Sequence, residues 1–255
     1  MRRSPRRIIM VVASAGLLLG CSSPAVSTAA PSAGSSQPST ANSAARVSVA
    51  DPAPIPPVSA AARAIGLIDV RTVVPDALID LRYATSNNFV GVRLYPRDAR
   101  CLVHTSMSAG LRTAAARLRS DGYRLVFWDC YRPHSVQQRM FDTVSNPAWV
   151  AAPGPYSRSH EAGRSVDVTL ARRGPCTSTS TPRKCLVDMG TDFDSFTPAA
   201  HAHATTGVSA TAQRNRAQLR TAMTSGGLSI YSGEWWHFDG PGAGVQRPII
   251  DVAPR

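Results

Sequence analysis

The alternation of apolar and polar positions predicts several strands in the part of the chain that follows residue 66. Apolar and polar residues alternate across residues 78–83, which is typical of a half-buried strand. Residues 123–129 (YRLVFWD) form a continuous apolar and aromatic run that suits a buried strand. Residues 166–170 alternate again and turn Asp167 away from the face of its two valine neighbours. A further short strand is predicted over residues 228–232, directly before the segment GEWWHF.

Helical spacing occurs between these strands. From residue 106 onwards Leu111 and Leu118 recur on one helical face, until Asp121 and Gly122 end the helix. Pro133 is well placed at the start of a second helix, and residues 209–225 form a third. The elements mix without a regular βαβ rhythm, and the sequence has no internal repeat. We therefore expect an α+β domain in which helices flank an antiparallel sheet.

The first 63 residues differ in character from the rest. Residues 1–20 combine four arginines with an apolar run that is short for a membrane-spanning helix, so they are interpreted as a lipoprotein signal peptide. The segment before Cys21 resembles the bacterial lipobox, which predicts lipidation of Cys21. The alternative is a plain secretory signal. Residues 21–63 contain the lipidated cysteine and a Ser-, Ala- and Pro-rich disordered linker, and residues 64–255 form the folded domain. We expect an exported protein, anchored to the outer face of the membrane, or secreted or periplasmic if the lipobox is not used.

Charge gives little information on partners. The formal net charge of +12 falls to about +8 without the four arginines of residues 1–20. A basic surface could favour anionic wall polymers, but arginines spread over a solvated surface explain the charge better. No arginine-rich block is interleaved with aromatic residues, so nucleic-acid binding is not expected.

The cysteines support export. Besides Cys21 the chain has Cys101, Cys130, Cys176 and Cys185, an even number in a compartment that favours disulfides. Three connectivities are possible. The short separation of Cys176 and Cys185 favours a local loop and leaves Cys101 with Cys130. A second zinc site is disfavoured because there is no CxxC pair.

The candidate chemistry lies in the segments SRSHEAGRSVDVTL and GEWWHFDG. His160, Asp167 and His237 are two imidazoles and a carboxylate, the ligand set of a catalytic zinc that keeps one position open for water, and Glu234 could accept a proton from that water. By itself the spacing of His160 and Asp167 fits a surface histidine near a core-edge aspartate better than a metal site. The adjacent pair Trp235-Trp236, which would exclude water from the site, favours a hydrolase.

These segments resemble the two zinc segments of the D-alanyl-D-alanine dipeptidases, a branch of the LAS-type, or M15, zinc peptidases. The resemblance extends over about residues 66–240 and includes DLRYATSNNFVG, FWDCYRPHSVQQRMF and MGTDFDSF in the same order. It implies a Hedgehog/DD-peptidase-like fold and one Zn²⁺ per chain. It also implies hydrolysis of the D-Ala-D-Ala dipeptide.

The resemblance gives each matching residue a role. It makes His160, Asp167 and His237 the zinc ligands, Glu234 the catalytic base, Arg132 the cation that stabilises the transition state, Asp194 the acid that holds the substrate's free amino group, and Ser159 a polar substrate contact. Two positions depart from the family pattern: Arg158 stands where a serine is usual, and Ser165 replaces an alanine. These departures affect the expectation of fine specificity more than that of zinc hydrolysis.

The expected function is cleavage of D-Ala-D-Ala, or of related small D,D-peptides, at the cell surface in wall turnover or recycling. The alternative within the same family is a D,D-carboxypeptidase or endopeptidase that acts on peptidoglycan stem peptides. A different class is a wall-binding lipoprotein without zinc, which the presence of all four metal-site residues disfavours. The lipid anchor makes the membrane an expected partner, and the sequence leaves protein partners open.

Overall fold

A five-stranded sheet carries the candidate site in the computed structural model, which describes residues 54–174 and 185–255. The strands of the described residues are β1 (Leu67–Asp69), β2 (Leu78–Ile79), β3 (Leu102–His104), β4 (Tyr123–Asp129), β5 (Ser165–Arg172), β6 (Ser229–Ile230) and β7 (His237–Asp239). The five-stranded sheet has the order β2-β4-β5-β7-β6, and β1 and β3 form a separate antiparallel pair.

Neighbouring strands of the large sheet are antiparallel except at one edge. The long central pair, β4 and β5, is antiparallel, as are β5–β7 and β6–β7. The edge strand β2 runs parallel to β4. The predicted α+β class with a largely antiparallel sheet is confirmed, and the parallel β2 edge is an addition to it.

Four α-helices lie in the described residues; the first was not predicted, and the bounds of the other three are close to those predicted. They are α1 (Ala60–Ala64), α2 (Ser108–Ser120), α3 (His134–Thr143) and α4 (Ala210–Ser225). Pro133 is the residue directly before α3, and the Ser209 side chain caps α4 by accepting from the Ala212 N–H at 3.1 Å. Helix α2 packs on α4 and on β4. A β-carbon on Gly110 would lie 2.5 Å from the carbonyl oxygen of Gly226, so only glycine permits this close approach.

Two predicted strands are shorter than expected. In residues 78–83 only Leu78–Ile79 pairs, and the chain then forms a 3₁₀ turn over Arg82–Ala84. In residues 228–232 only Ser229–Ile230 pairs. The apolar run of β4, by contrast, is a full strand whose last five residues are all buried. Strand β4 pairs along its length with the long strand β5, whereas the two short strands, β2 and β6, lie at the edges of the sheet and have one neighbour each.

The packed part of the chain begins before residue 64. Helix α1 is capped by Ser59, and its residue Ala62 is fully buried. The Ser59 N–H donates to the carbonyl oxygen of Arg255 at 2.9 Å, so the first described segment pairs with the last residues of the chain. Arg100 donates to the carbonyl oxygens of Pro56 and Pro57 at 2.7 and 3.1 Å.

A disulfide joins Cys101, directly before β3, to Cys130, directly after β4. This is the pairing that the sequence favours among the three possible connectivities. Cys185 is also disulfide-bonded, and Cys176, its predicted partner, lies outside the described residues. The predicted signal peptide and Cys21 lie outside them as well. Among the helices of residues 54–174 and 185–255, none is both long and apolar enough to cross a bilayer.

Candidate active site

Three side chains that can bind one metal ion meet at the end of the central strands. His160 lies on a 3₁₀ turn, Asp167 lies on β5, and His237 begins β7. Asp167 and His237 are directly paired across the two strands. Gly163 ends the turn with a φ of 63°, and a β-carbon there would lie 2.5 Å from a leucine side chain. The turn predicted at this glycine therefore brings together two residues that are seven apart in the sequence.

The distances among the three ligand atoms fit a small cation. His160 Nε2 is 3.2 Å from Asp167 Oδ1 and 3.1 Å from His237 Nδ1. His237 Nδ1 and Asp167 Oδ1 are 3.1 Å apart. A tetrahedral ion with bonds of about 2.0–2.1 Å holds its ligand atoms about 3.3 Å apart. Two imidazole nitrogens and a carboxylate oxygen therefore fit Zn²⁺ in both chemistry and spacing, with a fourth position left over.

The second nitrogen of each imidazole has its own partner. His160 Nδ1 is 2.7 Å from the carbonyl oxygen of Cys130, and His237 Nε2 is 3.1 Å from Asp239 Oδ1. Such partners take the ring N–H and leave the opposite nitrogen free to bind a metal. The orientation of both rings is therefore fixed by neighbouring groups of this chain.

The charges of the cluster favour a cation at its centre. Burial disfavours the imidazolium form of His237, but its hydrogen bonds to Asp167 and Asp239 outweigh burial and raise its pKa to about 10. Burial also opposes ionisation of Asp167, yet the charges and hydrogen bonds of His160 and His237 lower its pKa. The side chains therefore stabilise positive charge here, which a metal ion supplies in place of a proton.

Glu234 lies beside the three ligand residues. Its Oε2 is 3.9 Å from His237 Nδ1, and a turn hydrogen bond from its N–H to the carbonyl oxygen of Tyr231 at 3.3 Å sets its position. Burial and the negative charge of Asp167, opposed by the positive charge of His237, raise the pKa of Glu234 to about 7. A carboxylate that titrates near neutrality is suited to accept a proton and give it back.

Arg132 is held rigidly on the same side of the site. Its Nε and Nη2 donate to Asp129 Oδ2 at 2.9 and 2.7 Å, and its Nη1 donates to Gln137 Oε1 at 2.7 Å. Asp129 is fully buried and also accepts from the Tyr95 hydroxyl at 2.6 Å. Arg132 Nη2 is 3.8 Å from Asp167 Oδ2. A guanidinium fixed this close to the metal cluster can stabilise an oxyanion without having to reorganise.

Asp194 is a half-buried carboxylate at the same cavity. Its backbone has a φ of 55°, in the left-handed region, and its Oδ2 accepts from the Tyr83 hydroxyl at 2.9 Å. Burial, together with the negative charge of Asp167, raises the pKa of Asp194 well above its usual value. A bound ammonium group would supply the counter-charge that this carboxylate lacks.

Ser159 precedes the first histidine and has a positive φ of 49°. Its hydroxyl donates to Ser165 Oγ at 2.8 Å, and Ser165 in turn donates to Asp239. Ser159 is therefore connected, through Ser165 and Asp239, to the ring of His237. Its predicted contact with substrate stays a prediction.

A cavity of about 710 Å³ collects the candidate residues. All seven predicted site residues line it: Arg132, Ser159, His160, Asp167, Asp194, Glu234 and His237. The predicted tryptophan pair is buried beside it. Trp236 lines the cavity, and Trp235 packs edge-on against Trp236 with ring centroids 5.3 Å apart.

The remaining histidines have structural or surface positions, as predicted. His104 Nδ1 accepts from the Ser106 N–H at 3.1 Å, and His134 Nδ1 is 2.5 Å from Glu161 Oε1. His201 and His203 are exposed. In residues 54–174 and 185–255, the cluster of His160, Asp167 and His237 is the one group that could hold a metal ion.

The sequence prediction missed four polar residues that position the site: Tyr83, Asp129, Gln137 and Asp239. Asp239 had a readable signal, because residues two apart on a strand share a face and Asp239 follows His237 by two. Asp129 ends the apolar run of β4, where a single acid is conspicuous. Nothing in the sequence pattern indicates that Tyr83 or Gln137 reaches the site.

The α+β domain combines three side chains that can hold one metal ion, a carboxylate that can act as a base and an arginine held in place by hydrogen bonds. This is the arrangement of a metallopeptidase active site. The D-Ala-D-Ala dipeptidase model of the M15 peptidases matches residues 63–255, so the chain belongs to this family. It is 33% identical to the D-alanyl-D-alanine dipeptidase of Escherichia coli K12 over 185 residues, 72% of this chain and 90% of that protein. It is 29% identical to the D-alanyl-D-alanine dipeptidase of Enterococcus faecium over 196 residues, 68% of this chain and 91% of that protein. The predicted family and enzyme class are confirmed.

Proposed function

We propose that this protein is a zinc-dependent D,D-dipeptidase that hydrolyses D-Ala-D-Ala. The observation that carries the proposal is the arrangement of one cavity: a metal-binding triangle with edges of 3.1–3.2 Å, with Glu234, Arg132 and Asp194 around it. The relatives named above are D-alanyl-D-alanine dipeptidases, which supports the same substrate.

His160, Asp167 and His237 would hold the zinc ion. When bound, zinc supplies Lewis acidity to the scissile carbonyl and to the attacking water. The three residues contribute a net charge of −1 when both imidazoles are neutral, so the loaded site retains positive charge for an anionic transition state.

Glu234 acts as the general base and then as the general acid. Its carboxylate accepts the proton of the attacking water and returns it to the amine that leaves when the peptide bond breaks. Burial raises the pKa of Glu234 above the usual value of a carboxyl group, which favours return of the proton to the leaving amine. Arg132, which three hydrogen bonds hold in place, faces the oxygen on which negative charge develops.

Asp194 accounts for the small substrate. A dipeptide carries a free ammonium group on the residue before the scissile bond, and a carboxylate largely shielded from water binds an amino group strongly only when that group is charged. An acylated peptide has no such charge and would leave Asp194 unpaired. Ser159 adds a polar contact from the turn that carries His160.

The proposed location is the outer face of the cell membrane, with Cys21 lipidated and the linker as a tether. The disulfide between Cys101 and Cys130 supports an oxidising compartment. Cleavage there would serve wall turnover or recycling. Metabolic labelling with a palmitate analogue, compared between the full chain and Cys21→Ser, tests the anchor; label on both proteins or on neither contradicts it.

The activity is tested with purified protein, stripped of metal and reloaded with one equivalent of zinc. D-Ala-D-Ala, its N-acetyl derivative and L-Ala-L-Ala are compared by release of free alanine. We expect rapid cleavage of D-Ala-D-Ala by the zinc form and loss of activity on chelation. Cleavage of the acylated peptide alone would favour the carboxypeptidase alternative, and unchanged hydrolysis without metal would refute the mechanism.

A further inference from the structure

The cavity is rich in carboxylates but has few cationic side chains. Besides the metal ligand Asp167 its lining includes four acids, Glu161, Asp194, Glu234 and Asp239. Apart from the two histidines of the metal cluster, the positively charged lining side chains among the described residues are Arg132 and Arg158. A zwitterionic dipeptide brings one ammonium and one carboxylate group into this cavity. Either of the two arginines could bind the carboxylate group.

Arg132 is already committed to other groups. Its guanidinium donates twice to Asp129 and once to Gln137, and it lies 3.8 Å from the metal ligand Asp167. This geometry holds it beside the reacting carbonyl. It is therefore poorly placed to bind a second anionic group at the far end of the substrate.

Arg158 is fixed at its backbone, and its charged end has no hydrogen-bond or ion-pair partner among the described residues. The residue is exposed, and its guanidinium carbon lies 5.7 Å from the centroid of the Tyr156 ring. Burial raises the pKa of the Glu161 carboxyl group, and the positive charge of Arg158 partly opposes that rise. The backbone on both sides is anchored. Ser157 exchanges two hydrogen bonds with Arg247 at 2.9 and 3.0 Å, and the Ser159 N–H donates to the carbonyl oxygen of Ala243 at 2.8 Å.

Position also favours Arg158. It directly precedes the turn that carries His160, whereas Asp194 belongs to a different segment of the cavity wall. An arginine fork matches a carboxylate with two parallel hydrogen bonds. The ring of Tyr156 holds the guanidinium by a cation–π contact and so reduces the entropy lost on binding.

We propose that Arg158 binds the C-terminal carboxylate of the substrate and so selects peptides that end in a free acid next to the scissile bond. This inference rests on the proposed dipeptidase activity. Asp194 and Arg158 then recognise the two charged ends of the same molecule, which restricts the length of the substrate from both sides. Arg158 stands where the related enzymes usually have serine, so the ionic contact is a property of this chain.

The test compares D-Ala-D-Ala with its C-terminal amide, which has the same scissile bond but no carboxylate. The variants are Arg158→Ser and Arg158→Lys, with Arg97→Ser as a control that removes an equal charge from an exposed turn away from the cavity. We expect Arg158→Ser to raise KM for the free acid about tenfold, the effect of losing one charged hydrogen-bonded contact. Its KM for the amide and its kcat on either substrate should change little. For Arg158→Lys we expect a KM for the free acid between those of the wild type and Arg158→Ser. For Arg97→Ser we expect the KM of the wild type.

The outcomes separate this proposal from the activity on which it rests. If the wild type cleaves D-Ala-D-Ala but Arg158→Ser changes KM equally for acid and amide, the Arg158 assignment is wrong and the dipeptidase stands. If the wild type cleaves neither compound, the proposed function fails and the assignment fails with it. Circular dichroism and zinc content of each variant show whether the loss of a folded or loaded site explains a change.

Discussion

His237 Nε2 lies 3.1 Å from Asp239 Oδ1, and this contact turns the other ring nitrogen of His237 toward Asp167. The two residues are two positions apart on β7, so their side chains lie on the same face of the sheet. Ser165 donates to Asp239 from the neighbouring strand and extends the contact toward Ser159. The orientation of one metal ligand therefore depends on a short polar chain that crosses two strands.

Removal of this support should weaken metal binding. We expect Asp239→Ala to raise the Kd for zinc about 10- to 100-fold, the usual cost of losing a partner behind a ligating histidine. Ser165→Ala, which removes only the outer part of the chain, should have a smaller effect. Competition with a chromophoric chelator measures Kd, and Asp98→Asn on the exposed surface serves as the control. An unchanged Kd for Asp239→Ala would show that the ring needs no such partner.

Glu234→Gln should reduce kcat while the metal stays bound. The amide keeps the size of the side chain but cannot accept a proton, so we expect kcat to fall about 10²- to 10⁴-fold. Zinc content should remain at one per chain because Glu234 is outside the triangle of ligand atoms. Steady-state kinetics with metal analysis of the same sample checks both statements. A loss of zinc in parallel with kcat would instead make Glu234 part of the metal site.

Asp194→Asn tests recognition of the amino group. Asparagine tolerates the left-handed backbone found at this position, so the substitution removes charge without adding strain. It should raise KM for D-Ala-D-Ala about tenfold or more. Cleavage of the N-acetyl derivative should be negligible in the wild type, and in the variant its kcat/KM should rise relative to that for D-Ala-D-Ala. If the ratio of kcat/KM for the two substrates is the same in variant and wild type, another group holds the ammonium.

The metal ligands could be predicted from the sequence, but most of the contacts that support the site could not. His160 and Asp167 are separated by a turn whose Gly163 is visible in the sequence, and His237 follows a short strand, so local patterns suffice. Arg132 is different. Its position depends on Asp129 and Gln137 and, behind them, on Tyr95, which is 34 residues from Asp129. Contacts over such separations are set by packing and leave no periodic trace.

The same limit applies to the strands. The apolar run of β4 predicts a strand over its full length because both faces are buried. The alternation in residues 78–83 gives a similar signal, yet the chain leaves the sheet after Ile79 and turns at Arg82–Ala84. This turn places the Tyr83 hydroxyl 2.9 Å from Asp194. A requirement of the site has overridden the strand propensity of this segment.

Loss of the disulfide between Cys101 and Cys130 should affect both stability and metal binding. Closure of a loop of this length, with a sequence separation of 29, stabilises a fold by about 3.5 kcal/mol in the chain-entropy model. The carbonyl oxygen of Cys130 also accepts from the ring of His160 at 2.7 Å. We therefore expect Cys101→Ser/Cys130→Ser to lower the free energy of unfolding by about 2–4 kcal/mol and to raise the Kd for zinc. Denaturant unfolding of the zinc-free proteins separates the first effect from the second, and a double variant as stable as the wild type would contradict it.

The ion pairs of the buried Asp69 carboxylate with Arg71 and Arg100 should make stability fall in acid. Burial opposes ionisation of Asp69, but its hydrogen bonds from Arg71 and Arg100 outweigh burial and lower its pKa. A carboxylate whose pKa is lower in the folded state stabilises the fold fully above its unfolded pKa of about 3.9, and this contribution is lost as the pH falls through the folded pKa. Asp69→Asn should therefore cost about 2 kcal/mol at pH 7, and less as the pH falls below about 4.

The measurement is the difference in unfolding free energy between wild type and Asp69→Asn, taken at several pH values on zinc-free protein. The loss has a structural route as well as an electrostatic one. Asp69 orients Arg100, and Arg100 holds the carbonyl oxygens of Pro56 and Pro57 against the domain. The variant should accordingly expose the segment before α1 to protease at neutral pH, whereas Asp98→Asn, which removes an exposed ion pair with Arg255, should not. If the difference in unfolding free energy stays constant from pH 7 to pH 3, the charge of Asp69 does not contribute to stability, and the effect of the substitution has another cause.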